Sequence, residues 1–303
     1  MIKKIMRGVL VVAVLGLVLS FFSYIGSHNM GVFNPKGTIA LAEMNLITTT
    51  VYLMLVVVIP VFLLLGAFLW RYRAGNTKAK YRPDWQSNTI LEVIWWTIPI
   101  IIIGIIGRMT WVSSHDLDPY KPIVSSVPPI TIEVVALDWK WLFIYPEQNI
   151  ATVNFVQFPK GTPVNFKITA DAPMNSFWIP QLAGQIYAMP GMNTSLHVLA
   201  TEVGNYLGMS SNYSGAGFSG MKFVARASSQ QEFDEWVRTV RQSPDTLNMD
   251  VYTSLAKKSK NNPVAYYSSV VTDLYGKIIM KFMTPAQPSS SANPTKMTPS
   301  MVM

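Results

Sequence analysis

Two long stretches of this chain hold almost no charge, and most of the sequence beyond them alternates between apolar and polar positions. From Met44 to Trp70 no residue is charged, a length that exceeds the ~20 residues an α-helix needs to cross a hydrocarbon core about 30 Å thick. The pattern predicts a membrane span over about residues 46–70. Pro60 falls inside it, a residue that membrane helices tolerate where neighbours satisfy the freed carbonyl, and Trp70 and Tyr72 close it as interfacial aromatics. A second span is predicted over about residues 90–111; its apolar centre is Val93–Gly107, with Glu92 and Arg108 near the two ends. At the start of the chain, Lys3, Lys4 and Arg7 precede an uncharged run from Gly8 to Ser27, the layout of a secretory signal. Ser27 suits the residue before a cleavage site, but Ile25 is bulky for the position two before it. Residues 1–27 are therefore read as either a signal peptide or a third, N-terminal membrane helix.

Beyond a linker with Pro119, Pro122, Pro128 and Pro129, the apolar period becomes two. ITIEVVAL (130–137), WKWLFIY (139–145), IATVNFVQF (150–158), PVNFKIT (163–169), NSFWI (175–179), SLHVLAT (195–201) and SGMKFVARA (219–227) read as short strands separated by Gly, Pro, Asn and Asp. Strands at this spacing predict a sandwich or barrel, and residues 113–228 have the length of one Greek-key β-domain. Helical spacing returns in QEFDEWVRTVRQSP, with Phe233, Trp236, Val237 and Val240 on one face. Further helical pieces are predicted over about Asp250–Lys258 and Val264–Met283, so that residues 229–283 form a helical C-terminal arm. Residues 284–303 are rich in Pro, Ser and Thr, a composition that predicts a disordered tail.

Charge orients the membrane segments. The chain carries a net +8, but residues 112–303, with 14 Lys/Arg and 13 Asp/Glu, supply only +1 of it. The excess lies among the apolar runs, where it is a topology signal rather than a nucleic-acid footprint; no nucleic-acid partner is expected. Loop 71–89 carries Arg71, Arg73, Lys78, Lys80 and Arg82 against Asp84 alone. The positive-inside rule makes it cytoplasmic and puts everything after Trp111 outside. Residues 28–112 thus read as a transmembrane hairpin in contact with the lipid bilayer, carrying a periplasmic domain. The chain has no cysteine and three histidines, His28, His115 and His197, none paired at ligand spacing. Thiolate ligands, disulfides and a cysteine nucleophile are excluded, and no metal is expected on this chain.

The most informative stretch is Gly204–Met221, GNYLGMSSNYSGAGFSGM. Ser210, Ser214, Phe218 and Met221 stand at the spacing C-x3-C-x3-H-x2-M, with serine for both cysteines and phenylalanine for the histidine. Together with the hairpin and the segments WKWLFIYPEQ, NSFWIPQL and YAMPG, in that order, this loop resembles subunit II of the haem–copper respiratory oxidases over about residues 35–283. DWKWLFIYPEQNIATVN and YSGAGFSGMKF are similar to the copper-less quinol oxidase branch, the bo type, in particular. The resemblance implies a cupredoxin-like sandwich as the β-domain. It also implies that the family's binuclear copper ligands fall at Asn175 (histidine), Ser210 and Ser214 (cysteines), Asn212 (the glutamate whose carbonyl binds), Phe218 (histidine) and Met221. Only Met221 retains the family's residue. The loop is read as packed by Tyr213, Phe218 and Met221.

The resemblance carries a functional expectation. Copper in subunit II accepts electrons from cytochrome c; without it no cytochrome c partner is expected, and ubiquinol is oxidised in subunit I. That subunit would hold the haems and the oxygen-reducing copper, and this chain would be a non-catalytic partner of subunits I, III and IV in the bacterial inner membrane. Glu92, Trp95 and Pro99 match the family's E-x-x-W-x-x-x-P pattern, whose glutamate stands at a proton-uptake entrance, so Glu92 is the proton-entry candidate; an interfacial carboxylate in headgroup water is the plainer alternative. Trp139 and Trp141 read as core or subunit-contact residues. Relatives begin their mature chain with a lipidated cysteine, and here His28 stands near that place. Two alternatives differ in class: a cytochrome c oxidase subunit II, or a membrane-anchored periplasmic binding or assembly module.

Overall fold

The computed structural model describes residues 31–80 and 87–283, together with Gly16, Ser20 and Ser23. The expectations for residues 1–27 and for the tail 284–303 fall outside the described residues. Two helices come first, α1 (Thr38–Arg71) and α2 (Thr89–Asp116), both long and apolar enough to cross a membrane. At ~1.5 Å per residue each exceeds a bilayer core, so their ends project beyond it. Their apolar side chains, among them Phe62, Leu63, Trp96 and Ile103, are exposed, as a lipid- or subunit-facing helix requires. Asn88 caps α2, its side chain accepting from the N–H groups of Ile90 and Leu91.

Eleven strands come next among the described residues: β1 (Ile130–Leu137), β2 (Lys140–Tyr145), β3 (Ile150–Val153), β4 (Phe155–Pro159), β5 (Val164–Ala170), β6 (Asn175–Trp178), β7 (Ile186–Ala188), β8 (Thr194–Val198), β9 (Gly204–Ser210), β10 (Lys222–Ser228) and β11 (Ala265–Tyr267). They form a six-stranded sheet, β11-β3-β2-β1-β5-β8, and a five-stranded sheet, β4-β10-β9-β6-β7. The sheets enclose an aromatic core in which Trp141 and Phe143 meet Phe177 and Phe223, the last two stacked with centroids 5.1 Å apart. This is the sandwich that the alternating pattern predicts. The run 150–158, however, is not one strand. Asn154 takes a left-handed backbone, φ 56°, which asparagine tolerates, and the chain changes sheet there. Asn154 then closes the break, its Oδ1 accepting from the Trp141 N–H at 2.9 Å.

The larger sheet is buried on both faces around β2 and β3. Ile132, Val134 and Ala136 of β1 point into the sandwich, while Val135 and Leu137 face a second core built by the C-terminal arm. Strand β2 is buried at every position, which is why it reads as a near-continuous apolar run. The arm contains α3 (Gln230–Val240), α4 (Met249–Leu255), β11 and α5 (Leu274–Met283). A capping box of Ser229 and Glu232 starts α3, and Phe233, Val237 and Val240 bury its inner face. The expected helix over Val264–Met283 is corrected. Ala265–Tyr267 instead pairs antiparallel with β3, satisfying an otherwise open sheet edge, and helix resumes only at Leu274 after Asp273, whose φ is 55°.

Two junctions hold these parts together. At the hairpin, the Lys36 N–H donates to the Gln181 carbonyl at 2.7 Å, the Ala40 N–H to the Leu182 carbonyl at 3.2 Å, and the Thr201 N–H to the Lys36 carbonyl at 2.8 Å. Gly37 lies between them, where a Cβ would come within 2.5 Å of the Leu182 oxygen, so only glycine permits the approach. At the arm, the buried Asp171 carboxylate accepts from Tyr252 Oη at 2.6 Å and from Lys281 Nζ at 2.7 Å, tying α4 and α5 to the end of β5. Asp171→Ala is expected to lower stability by about 1–3 kcal/mol, because two donors lose a charged acceptor. It should also make residues 241–283 the first site of limited proteolysis; an unchanged digestion pattern would count against the clasp.

Candidate functional site

Three of the positions matched to copper ligands, Asn175, Ser210 and Asn212, meet at one end of the five-stranded sheet. Asn175 begins β6 and Ser210 ends β9, and the two strands are paired. Both residues are buried. Ser210 Oγ donates to Asn175 Oδ1 at 3.0 Å and accepts from the Ser176 N–H at 3.3 Å. The Asn175 amide donates to the Pro173 carbonyl at 2.8 Å. Asn212, in the following loop, donates its amide to the Met174 carbonyl at 3.1 Å, and its own carbonyl lies 3.3 Å from Ser210 Oγ. Strand β9 takes up the first seven residues of the stretch read as a loop.

Ser214, Phe218 and Met221 add no side-chain hydrogen bond to that pair. Met221 is buried in the aromatic core, and its carbonyl accepts from the Ser210 N–H at 3.2 Å. Phe218 opens a single 3-10 turn, Phe218–Gly220. Tyr213 stacks edgewise on Phe218 with centroids 5.6 Å apart, yet is 75% exposed. The expectation that Tyr213 packs the loop is therefore corrected: Trp139 does so. Its Nε1 donates to the Ser214 carbonyl at 3.2 Å, and Gly217 lies flat against its ring, where a Cβ would overlap the ring atoms. Trp139 holds this position with φ 61°, an uncommon conformation for a bulky residue. The ammonium groups of Lys258 and Lys260 cover the ring at 5.8 and 5.7 Å.

The residues present do not fit a copper pair. The thiolates and imidazoles that hold copper are replaced by hydroxyls, an amide and a phenyl ring, and hydroxyl oxygens stay protonated and bind copper poorly. The buried polar atoms at Asn175 and Ser210 already satisfy each other. Among the described residues no group of three or more His, Cys, Asp or Glu is arranged to hold a metal ion.

Glu92 lies elsewhere, exposed in the first turn of α2, at the end of the hairpin remote from the sandwich. The structure does not bring it near the Asn175–Ser210 pair. Trp141 is fully buried in the core. His197 is half-buried on β8, and burial pushes its imidazole pKa down. It lines a cleft of about 300 Å³ with Glu43 and Lys121 at the junction of hairpin and sandwich. His115 leans on Trp111, its Nδ1 2.7 Å from that residue's carbonyl oxygen.

Sequence reasoning missed Lys140, which is fully buried and donates from Nζ to the Lys257 carbonyl at 2.8 Å and to Ser259 Oγ. Desolvation pushes its pKa down, with Asp138 partly opposing it. Its place between two tryptophans was the available signal. Also missed was Gln185, whose Oε1 accepts from Ser176 Oγ at 3.0 Å and from Ser211 Oγ, bracing the strand ends from outside.

Comparison with known proteins places both the hairpin and the sandwich in one family. Three family profiles match in chain order: cytochrome c oxidase subunit II, transmembrane domain, over residues 27–111; the same subunit's periplasmic domain over 147–228; and the cytochrome oxidase aromatic-rich motif over 241–286. The cytochrome bo(3) ubiquinol oxidase subunit 2 of Pseudomonas aeruginosa is 54% identical over 258 residues, covering 85% of this chain and 78% of that one. That of Pseudomonas putida is 55% identical over 254 residues, covering 84% and 81%. The ubiquinol oxidase subunit 2 of Acetobacter aceti is 48% identical over 255 residues, covering 84% and 83%.

The chain belongs to the oxidase subunit II family.

As a subunit II, it has two apolar helices followed by the sandwich that the family's periplasmic-domain profile describes. It is a membrane-anchored protein with an outer soluble domain. The aromatic-rich motif spans α4, β11 and α5, the elements that cover the larger sheet. In this subunit II the Asn175–Ser210 pair does the local work of holding β6 to β9. Ser210→Ala would leave Asn175 Oδ1 and the Ser176 N–H buried without their partner, and is expected to cost about 1–3 kcal/mol. Thermal unfolding of the purified chain reads this directly; a melting temperature equal to the parent's would contradict it.

Proposed function

We propose that this chain is the copper-less, non-catalytic subunit II of a proton-pumping quinol oxidase in the aerobic respiratory chain of a bacterium. It anchors in the inner membrane, with its sandwich in the periplasm and loop 71–89 in the cytoplasm. Ubiquinol oxidation and oxygen reduction to water take place in subunit I, which carries the haems and copper, and subunits III and IV complete the complex. The observation that supports this most is the set of side chains at the copper-ligand positions. Asn175, Ser210, Asn212, Ser214 and Phe218 cannot hold a redox metal, and two of them form a closed neutral hydrogen bond. A domain without a redox centre gives electrons no way in, so they enter through the membrane. The near-balanced charge of residues 112–303 also lacks the acidic excess that would steer a basic cytochrome c.

The alternatives differ in observable ways. A cytochrome c oxidase subunit II would need ligands that this chain lacks. A membrane-anchored binding module would set the exposed apolar flanks of α1 and α2 against lipid alone, whereas a subunit II packs part of them against other chains. Gentle solubilisation followed by affinity capture of this chain tests the proposal: a haem-bearing polytopic subunit is expected to co-purify in equal amount. Capture of the chain alone, with no haem absorption, would support the binding-module reading instead.

Glu92 is proposed as the proton-entry residue. It sits on the cytoplasmic end of α2, where a carboxylate is costly unless hydrated or partnered, and it is open to its surroundings. Glu92→Gln in the assembled oxidase is expected to lower quinol-driven oxygen uptake several-fold without loss of haem. Unchanged turnover at saturating quinol would remove the role and leave an interfacial carboxylate.

A further inference from the structure

Arg108 is a cation inside the second apolar helix. Among the described residues its guanidinium has no hydrogen-bond or ion-pair partner, whereas Asp116, two turns further along α2, is held by Lys121 Nζ at 3.0 Å. The local carboxylate is therefore already matched and the arginine is not. Arg108 lines a groove of about 590 Å³ between α1 and α2 at their outer end. Asn45, Leu46 and Thr49 from α1 and Ile105 and Met109 from α2 line it too, as does Asp116, whose carboxylate is the one taken up by Lys121. On each helix these residues recur three and four apart, so one face of each builds the groove.

The groove's chemistry is that of a donor cluster above apolar walls. Thr49 Oγ1 already donates to the Asn45 carbonyl at 2.8 Å within its own helix. That leaves the Arg108 guanidinium and the Asn45 amide as open donors, with Leu46, Ile105 and Met109 around them. An occupant must bring hydrogen-bond acceptors with negative charge at one end and apolar length at the other. The depth fits as well. Trp111, 70% exposed, marks the interfacial belt, and Arg108 lies three residues, ~4.5 Å, deeper, from which a long side chain reaches up to headgroup level.

We propose that the groove is a binding site for an anionic phospholipid of the outer leaflet. The phosphodiester accepts from Arg108, through the paired N–H groups of its planar fork, and from the Asn45 amide. An acyl chain lies along Leu46, Ile105 and Met109. The unmatched cation selects a lipid with net negative charge over a zwitterionic one. The site needs only the membrane hairpin and stands independently of the electron route.

The test is native mass spectrometry of the membrane complex, purified in mild detergent, then stripped of lipid and titrated with phosphatidylglycerol, phosphatidylcholine or inorganic phosphate. The unaltered protein is expected to retain and rebind phosphatidylglycerol in preference to phosphatidylcholine, and inorganic phosphate is expected not to displace it. Arg108→Ala should weaken rebinding about tenfold or more, the loss of a charge-assisted contact, while Arg108→Lys, which keeps the charge but loses the fork, falls between that variant and the unaltered protein. Should Arg108→Ala fail to accumulate, Asn45→Leu decides, since it leaves every charge in place and is expected to lower phosphatidylglycerol retention. Equal binding of the two lipids, displacement by inorganic phosphate, or unchanged retention in Arg108→Ala or Asn45→Leu overturns the proposal. So does an Arg108→Ala complex that sheds a partner subunit while keeping its lipid, because the guanidinium would then face a carboxylate of that subunit.

Discussion

Strands β6 and β9 come together at one end of the sandwich, with the loop of residues 211–221 to close behind them, and a buried hydroxyl-to-amide contact, Ser210 to Asn175, holds them there. A metal centre at such a place ties strands and loop by bonds to several ligands at once. A single hydrogen bond is far weaker, so the loop needs further support, and it comes from outside the pair. Gln185 braces Ser176 and Ser211, Trp139 lies under Gly217 and holds the Ser214 carbonyl, and Met221 reaches into the aromatic core. The shape of a ligand loop is thus kept by packing and neutral hydrogen bonds, and the chemistry that such a loop supports elsewhere is absent from the side chains.

The same economy of contacts governs the larger assembly. Around β3 and β2 the six-stranded sheet has no solvent face, because the arm covers it there with α4 and α5 and extends its edge with β11. Lys140 links this cover to the β1–β2 turn, so Trp139, the loop it supports and the arm segment 257–260 form one continuous contact. At the other boundary, the backbone bonds around Gly37 join the start of α1 directly to the sandwich. The membrane hairpin and the outer domain therefore share a hydrogen-bonded seam.

Much of this was legible in the sequence, and the reasons are physical. Charge-free length identifies α1 and α2. Period-two patterning identifies β1 residue for residue, and helical spacing identifies α3. What escaped depends on contacts between distant residues or on backbone conformations with weak signals. The sheet change at Asn154 needs a left-handed residue in the middle of an apparently unbroken strand. Strands β7 and β11 have three residues each, too few for a period to register. The Ser210–Asn175 contact joins residues 35 apart and the Asp171 clasp residues 81 and 110 apart. The loop's residue types were readable, but which of them met was not.

The central claim is that electrons do not reach oxygen through this subunit's outer domain. It follows from donor chemistry at Asn175, Ser210, Ser214 and Phe218 rather than from any feature of the fold, which would serve either route equally well. The most direct measurement is oxygen uptake by the purified complex with each donor in turn. Rapid uptake with ubiquinol, and none above background with reduced cytochrome c across a range of ionic strengths, is the result this account predicts. Cytochrome c-driven uptake that matches the quinol rate would contradict it.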